Sequence, residues 1–370
     1  MLKTRRLRTA VTVAFAVFVA IFARCAAAQS NPYELVHDWA PQLPAGRPLG
    51  NVTGVDVDKA GHIWALERCG ADTCVGSNFD PILEFDASSG KLLKSFGAGM
   101  FVLPHGFYLD NEGNIWTTDG GGDDGSGKVV QSRTADGSVF TASGGAKGKG
   151  QTVMKFSPEG KLLLTLGTPG VAGESPSTFN APSDVVVAPN GDIFVADGHG
   201  GDTNARVVKF NKEGKFILAW GKKGSAPGEF NIPHSIDIDS TGRLFVGDRD
   251  NNRIQIFNQQ GEFLGEWKQF GKPSGIAIDS DDMMYVADSQ STLKNNPGIE
   301  QAIRIGSTKD GVVKYLIPPT VLPPGSFFNL PLAPGEKPIT RPAALAVDAV
   351  GNIYEAESGT RNLRKYRKMR

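Results

Sequence analysis

Six times along the chain one pattern of apolar and polar positions recurs. It reads Pro, a small residue or His, a small residue, alternating apolar positions, Asp, a turn residue, an aromatic-rich strand and an acid. The units begin at Val52, Pro104, Pro182, Pro233, Pro273 and Pro342. Nine residues later each reaches a turn residue, Gly61, Gly113, Gly191, Gly242, Asp282 or Gly351, and six further on an acid, Glu67, Asp119, Asp197, Asp248, Asp288 or Glu357. A register kept without a slip marks a repeat architecture. Within the units VDVD, GNIWTTD and GDIFVAD alternate with period two around the turn, which predicts an inner hairpin. RVVKFNKEGKFILAWG and RIQIFNQQGEFLGEWK predict a second, outer hairpin.

Four strands per unit, with starts as close as 233 and 273, predict an all-β fold, a six-bladed β-propeller, over a sandwich. The last unit shows only three strands before the chain ends in NLRKYRKMR, and YELVHDW near the N-terminus resembles the missing fourth. That N-terminal strand is expected to complete the last blade and close the ring, so that no sheet edge stays open there. Two stretches depart from the pattern. Residues 119–150 are rich in Gly and charge and read as a surface insertion; residues 291–340, with NNPG, IPPT, LPPG and LAPG, read as a Pro-rich loop excursion of blade five over one mouth of the channel.

The first residues are cationic, followed by the apolar run VTVAFAVFVAIFA and three alanines, Ala26 to Ala28. Residues 1–28 therefore read as a signal peptide and residues 29–370 as the propeller of an exported chain, periplasmic or secreted, with no membrane span in its mature form. Removing the leader also removes Cys25 and leaves Cys69 and Cys74, spaced to close a small loop as a disulfide in an oxidising compartment. The 39 basic and 39 acidic side chains cancel, so no net field draws the chain to nucleic acid or an anionic membrane.

Equivalent positions at the start of the innermost strands of a propeller ring its axis. The second residue of each unit is Thr53, His105, Ser183, His234, Ser274 or Ala343, and only His105 and His234 are imidazoles. Two such residues in alternate units are candidate ligands for a divalent metal, zinc first. His199 follows Asp197 and Gly198 in the intervening unit and is a weaker ligand candidate; His62 fills a turn slot and reads as a surface residue, and His37 reads as a structural residue of the closing strand. Arg follows the repeated acid only at Arg68 and Arg249, where a planar fork would suit a carboxylate, the alternative being a salt bridge within the blade. The six acids, present in every unit, read as structural.

The segments FVLPHGFYLDNEGNIWTTDG, FNAPSDVVVAPNGDIFVADGHGG and GKFILAWGKKGSAPGEFNIPHSIDIDSTGRLFVGDRDNNRIQIF resemble the catalytic propeller of peptidylglycine α-amidating lyase, an NHL-repeat type of fold. The resemblance implies cleavage of a peptidyl-α-hydroxyglycine to a peptide amide and glyoxylate at a zinc held by three histidines. It puts two of these on His105 and His234, the catalytic arginines on Arg68 and Arg249, and the family's tyrosine on His199. The third histidine is replaced by Ala343 and the adjacent calcium-binding aspartate by Ala344. The resemblance thus predicts an incomplete metal site that either recruits His199 or makes do with two imidazoles and water. Its substrate would be a peptide or small molecule bearing a carboxylate. The competing reading is a non-catalytic propeller that binds a protein or cell-envelope ligand on its face. A calcium-dependent lactonase would need Glu, Asn and Asp on the axis, which the ring positions do not supply.

Overall fold

The structure, a computed structural model, describes residues 31–122, 128–130, 141–143, 146–323, 326 and 337–369. The expected leader, 1–28, lies outside the described residues, as do parts of 119–150 and 291–340. Six four-stranded antiparallel sheets form the molecule, and each inner strand packs on that of the next blade until blade six meets blade one. The inner strands are Val52–Val57, Pro104–Leu109, Pro182–Val187, Pro233–Ile238, Pro273–Ile278 and Pro342–Val347, starting at the six positions read from the sequence. Each turn residue that follows has a positive φ, including Asp282 at 60°, which is why glycine holds this slot five times in six.

Blade six takes Ile353–Glu357 and Asn362–Lys368 from the C-terminus and Tyr33–Leu35 from the N-terminus, so the expected closing strand is present, three residues long. His37 is not part of it. The strand ends at Leu35, Val36 makes the last bond to the neighbouring strand through Lys365 O, and His37 lies beyond it in an exposed turn. The reading of residues 291–340 as a single loop is also corrected: Ala302–Ser307 and Val313–Ile317 are the third and fourth strands of blade five. AIRIGS and VKYLI carry the alternation of a hairpin, and the prolines on both sides obscure it. In 119–150, Asp119 ends a strand of blade two and Lys128–Val130 pairs with Thr141–Ser143. Among the described residues no helix is long and apolar enough to cross a membrane.

The apolar core lies between blades. Phe85, Phe156, Phe210 and Phe257 end the third strands of blades one to four, and all are buried. Each such ring contributes roughly 1.5–3 kcal/mol by leaving water. The repeated acids have the structural role expected of them. Asp119 accepts backbone N–H from Val102 and Leu103, Glu67 from Gly50 and Gly70, Asp197 from Asn180, Asp248 from Asn231 and Asp288 from Ser291. Five of the six also pair with an arginine: Arg47 with Glu67, Arg206 with Asp197, Arg253 with Asp248, Arg304 with Asp288 and Arg364 with Glu357.

A second set of carboxylates staples neighbouring blades. Asp56, Asp184 and Asp237 each accept one N–H from their own inner strand and one from the next, Leu109, Ile236 and Ile278 respectively. Burial pushes these acids up, to about 6, 7 and 8, against the N–H bonds that favour the anion. A carboxyl whose pKa is higher in the fold than in the unfolded chain binds protons on folding, so its contribution is full below about pH 4 and is lost as the pH rises to the folded value. The melting-temperature lead of the wild type over Asp237→Asn should therefore shrink between pH 5 and pH 8. A lead that widens over that range would contradict this.

Candidate metal centre

Every inner strand begins with an irregularity. The pairing with the second strand shifts between the first and third residue of blades one, three, four, five and six, and between Pro104 and Phe107 in blade two. A bulge of this kind bends the strand and re-aims the side chain left without a cross-strand partner. All six second-position residues, Thr53, His105, Ser183, His234, Ser274 and Ala343, line one axial cavity. The approach of neighbouring inner strands is close: a Cβ on Gly106 would meet Ser183 O and Asp184 Cα at 2.6 Å.

His105 and His234 line the cavity from blades two and four, and His199, on the loop after the second strand of blade three, packs against both rings. That loop leaves the strand through Gly198, φ 141°, where a Cβ would lie 1.6 Å from Asn204 O, so only glycine permits the turn that carries His199 inward. The ring centroids are 4.2 Å apart for His105 and His199, and 4.7 Å for each of the other two pairs. One nitrogen from each ring lies within 4.8 Å of the others.

The ring orientations are fixed by backbone. His105 Nδ1–H donates to Ser183 O at 2.7 Å and His234 Nδ1–H to Ser274 O at 2.6 Å, the carbonyl in each case belonging to the ring residue of the next blade. With the proton on Nδ1, a neutral imidazole has its lone pair on Nε2, and in His234 that nitrogen lies 2.9 Å from His199 Nε2, which donates to it. An outer hydrogen bond on Nδ1 with Nε2 facing inward is the arrangement metal-bound histidines adopt, and a bound ion would replace the His199–His234 hydrogen bond, with the His199 proton on Nδ1. Burial, reinforced by the charge of Arg68, drives the His105 imidazolium down to about 3. Burial also holds His199 and His234 well below the usual imidazole value, with the neighbouring imidazoles and Arg249 adding to it. The three rings are neutral at ordinary pH and ready to act as ligands.

Arg249 makes the intra-blade contact with a neighbouring acid, its Nε 3.6 Å from Asp250 Oδ1, whereas Glu67 beside Arg68 is engaged by Arg47. Arg68 Nε donates to Pro104 O at 3.3 Å. Among the described residues, the Nε of buried Arg249 has no hydrogen-bond acceptor. Burial lowers Arg68 to about 10 and lowers Arg249 as well. Guanidiniums with this much unused donor capacity beside three imidazoles fit an anionic ligand.

Register alone found His105 and His234. His199 was legible as a weaker ligand candidate and as the counterpart of a tyrosine, and the geometry groups it with the other two. The two carbonyls that hold the rings carry no residue signal, since any residue supplies one. Sequence reading missed a second grouping, Asp58, His62 and Glu84 at the hairpin tip of blade one; Glu at position 84, where blades two, three and six have Lys and blades four and five Ile, is its trace.

Residues 230–257 match the family model for the NHL repeat. The chain is 41% identical over 200 residues to human NHL repeat-containing protein 3, covering 52% of this chain and 49% of that protein. It is 31% identical over 302 residues to the mouse protein of the same name, covering 79% and 74%. Peptidyl-alpha-hydroxyglycine alpha-amidating lyase 1 of Drosophila melanogaster is 31% identical over 267 residues, 64% of this chain and 43% of the fly protein. The chain thus spans about half or less of the human and fly relatives. Virginiamycin B lyase from Staphylococcus aureus has a similar fold, with TM-score 0.52 over 90% of this chain and 99% of that one at 13% identity.

An imidazole in water is half protonated near pH 6.5. In a nitrogen-15 NMR titration of the metal-free protein, His105 and His234 should remain neutral Nδ1–H tautomers at pH 5. Titration of either ring near its solution value would remove the electrostatic basis of the site.

Proposed function

The chain belongs to the NHL-repeat propeller family together with NHL repeat-containing protein 3, and from that premise we propose that it is an exported, metal-dependent carbon–nitrogen lyase. Its substrate is an N-acyl-α-hydroxyglycine or a peptide ending in that group. The observation that carries this reading is the convergence of His105, His199 and His234, two of them anchored through Nδ1, beside buried Arg249 and partly buried Arg68. The name of the fly relative supplies the reaction.

The donors fit a zinc-class ion: three neutral imidazoles with one nitrogen each in reach of a common point, leaving a coordination position for substrate. His199 takes the third ligand place that Ala343 cannot fill. When bound, such an ion acts as a Lewis acid that lowers the pKa of the substrate hydroxyl. Arg249 and Arg68 hold the substrate carboxylate and set the hydroxyl-bearing carbon over the imidazoles. The hydroxyl then loses its proton, its oxygen forms the carbonyl of glyoxylate, and the carbon–nitrogen bond breaks with the amide nitrogen taking up a proton. Export is supported by the leader-like N-terminus and by the Cys69–Cys74 disulfide, which suits an oxidising compartment.

The test is glyoxylate release from an N-acyl-α-hydroxyglycine by the zinc-loaded protein and its variants. His105→Ala and His234→Ala should each lose more than the roughly 10- to 100-fold that removal of an outer-shell partner costs. Arg249→Ala should raise KM more than it lowers kcat. Undiminished turnover in His105→Ala would overturn the metal-lyase reading. Absence of turnover in the zinc-loaded wild type would favour the non-catalytic propeller that binds a protein or cell-envelope ligand.

A further inference from the structure

At the hairpin tips of the blades one ion-pair motif repeats. In blade two Lys155 stands opposite Trp116, with its Nζ 5.1 Å from the ring centroid and 3.3 Å from Asp110 of the turn. Blade three has Lys209 opposite Phe194, at 5.2 Å from the ring and 2.8 Å from Asp192. Blade six has Lys365 opposite Tyr354, at 5.5 Å. In these blades the lysine lies over an aromatic ring, and in blades two and three it neutralises a turn acid.

Blade one reverses the charge. The residue opposite Trp64 is Glu84, buried, and the slot after the turn glycine holds His62. His62 Nδ1 lies 2.8 Å from Glu84 Oε1 and 3.5 Å from Asp58 Oδ2, and all three ligand atoms are within 4.8 Å of one another. Asp58 is held in place: Oδ1 accepts the N–H of Ala60 and His62, and Oδ2 accepts Trp64 Nε1–H at 3.0 Å. Glu84 is fixed by its strand. The cation over Trp64 comes instead from the outer strand, where Lys94 lies 5.6 Å from the ring and 3.5 Å from Glu84 Oε2. Two carboxylates that other blades would offset with lysine thus converge on one imidazole.

We propose that Asp58, His62 and Glu84 form a second divalent-metal site, independent of the channel, that takes a zinc-class ion on one nitrogen and two carboxylate oxygens with solvent completing the shell. Imidazole with carboxylates suits borderline divalent ions better than calcium or magnesium, which favour all-oxygen sites. The half-exposed rim position leaves the remaining coordination places to water, and His62 is free to adjust. The ion ties the inner hairpin of blade one to its third strand, so binding stabilises this blade by mass action. Lys94 is the competitor, since its ammonium occupies the field the ion would enter.

Equilibrium dialysis of the full chain against zinc at pH 7.5, with metal counted per chain, tests this whatever the channel holds. His62→Gln should bind one ion fewer than wild type, and Lys94→Met should bind that ion more tightly. Circular dichroism checks that both variants fold. Zinc should raise the melting temperature of a His105→Ala/His234→Ala double variant, and His62→Gln added to it should abolish the rise. Equal zinc content in wild type and His62→Gln would overturn the site and show the cluster to be an imidazole–carboxylate ion pair. An unchanged affinity in Lys94→Met would equally remove the ion from Glu84.

Discussion

Each inner strand starts out of register with its neighbour, and the side chain left unpaired by the shift turns to the propeller axis. Because the six units repeat this irregularity, six side chains share one cavity, and sequence substitution at a single position per blade decides what that cavity can do. The scaffold also supplies the orientation. The carbonyls of Ser183 and Ser274 face back to the preceding blade, so the imidazoles in blades two and four find a fixed acceptor for Nδ1–H and present Nε2 inward. Closure of the ring by Tyr33–Leu35 keeps those carbonyls at their spacing, since a propeller open at blade six could splay.

Electrostatics sharpen the same point. An imidazole that stayed protonated would repel a cation and donate from both nitrogens. Burial and the neighbouring guanidiniums both favour the neutral form of the three rings, with Arg249 buried and Arg68 partly buried beside them. Such an arrangement persists in a fold only if the surrounding structure stabilises it. Here the interblade cores and the Asp56, Asp184 and Asp237 staples provide that support away from the site.

The architecture was legible because its governing signal is a period: unit starts and closing acids coincide with strand boundaries in all six blades, with the turn residue between the two inner strands. His105 and His234 were legible for the same reason, as departures from small residues at a repeated slot. His199 was harder to read, since it lies on an irregular loop whose path depends on Gly198, and register does not say where a loop points. The outer hairpin of blade five went unread because prolines around it mask a short alternation, and His37 was assigned to a strand that ends before it. The Asp58, His62 and Glu84 grouping requires residues from a turn and a third strand to meet, a fact of tertiary pairing that only comparison with Lys155 and Lys209 hints at.

The account turns on whether three imidazoles share one ion in the channel. Zinc X-ray absorption on the His62→Gln protein loaded with one equivalent measures this directly, with the rim site silenced. Three nitrogen scatterers at about 2.0–2.1 Å with the outer-shell pattern of imidazole, falling to two in the same protein carrying His199→Ala, is the predicted result. A first shell dominated by carboxylate or water oxygen, unchanged by His199→Ala, would contradict it.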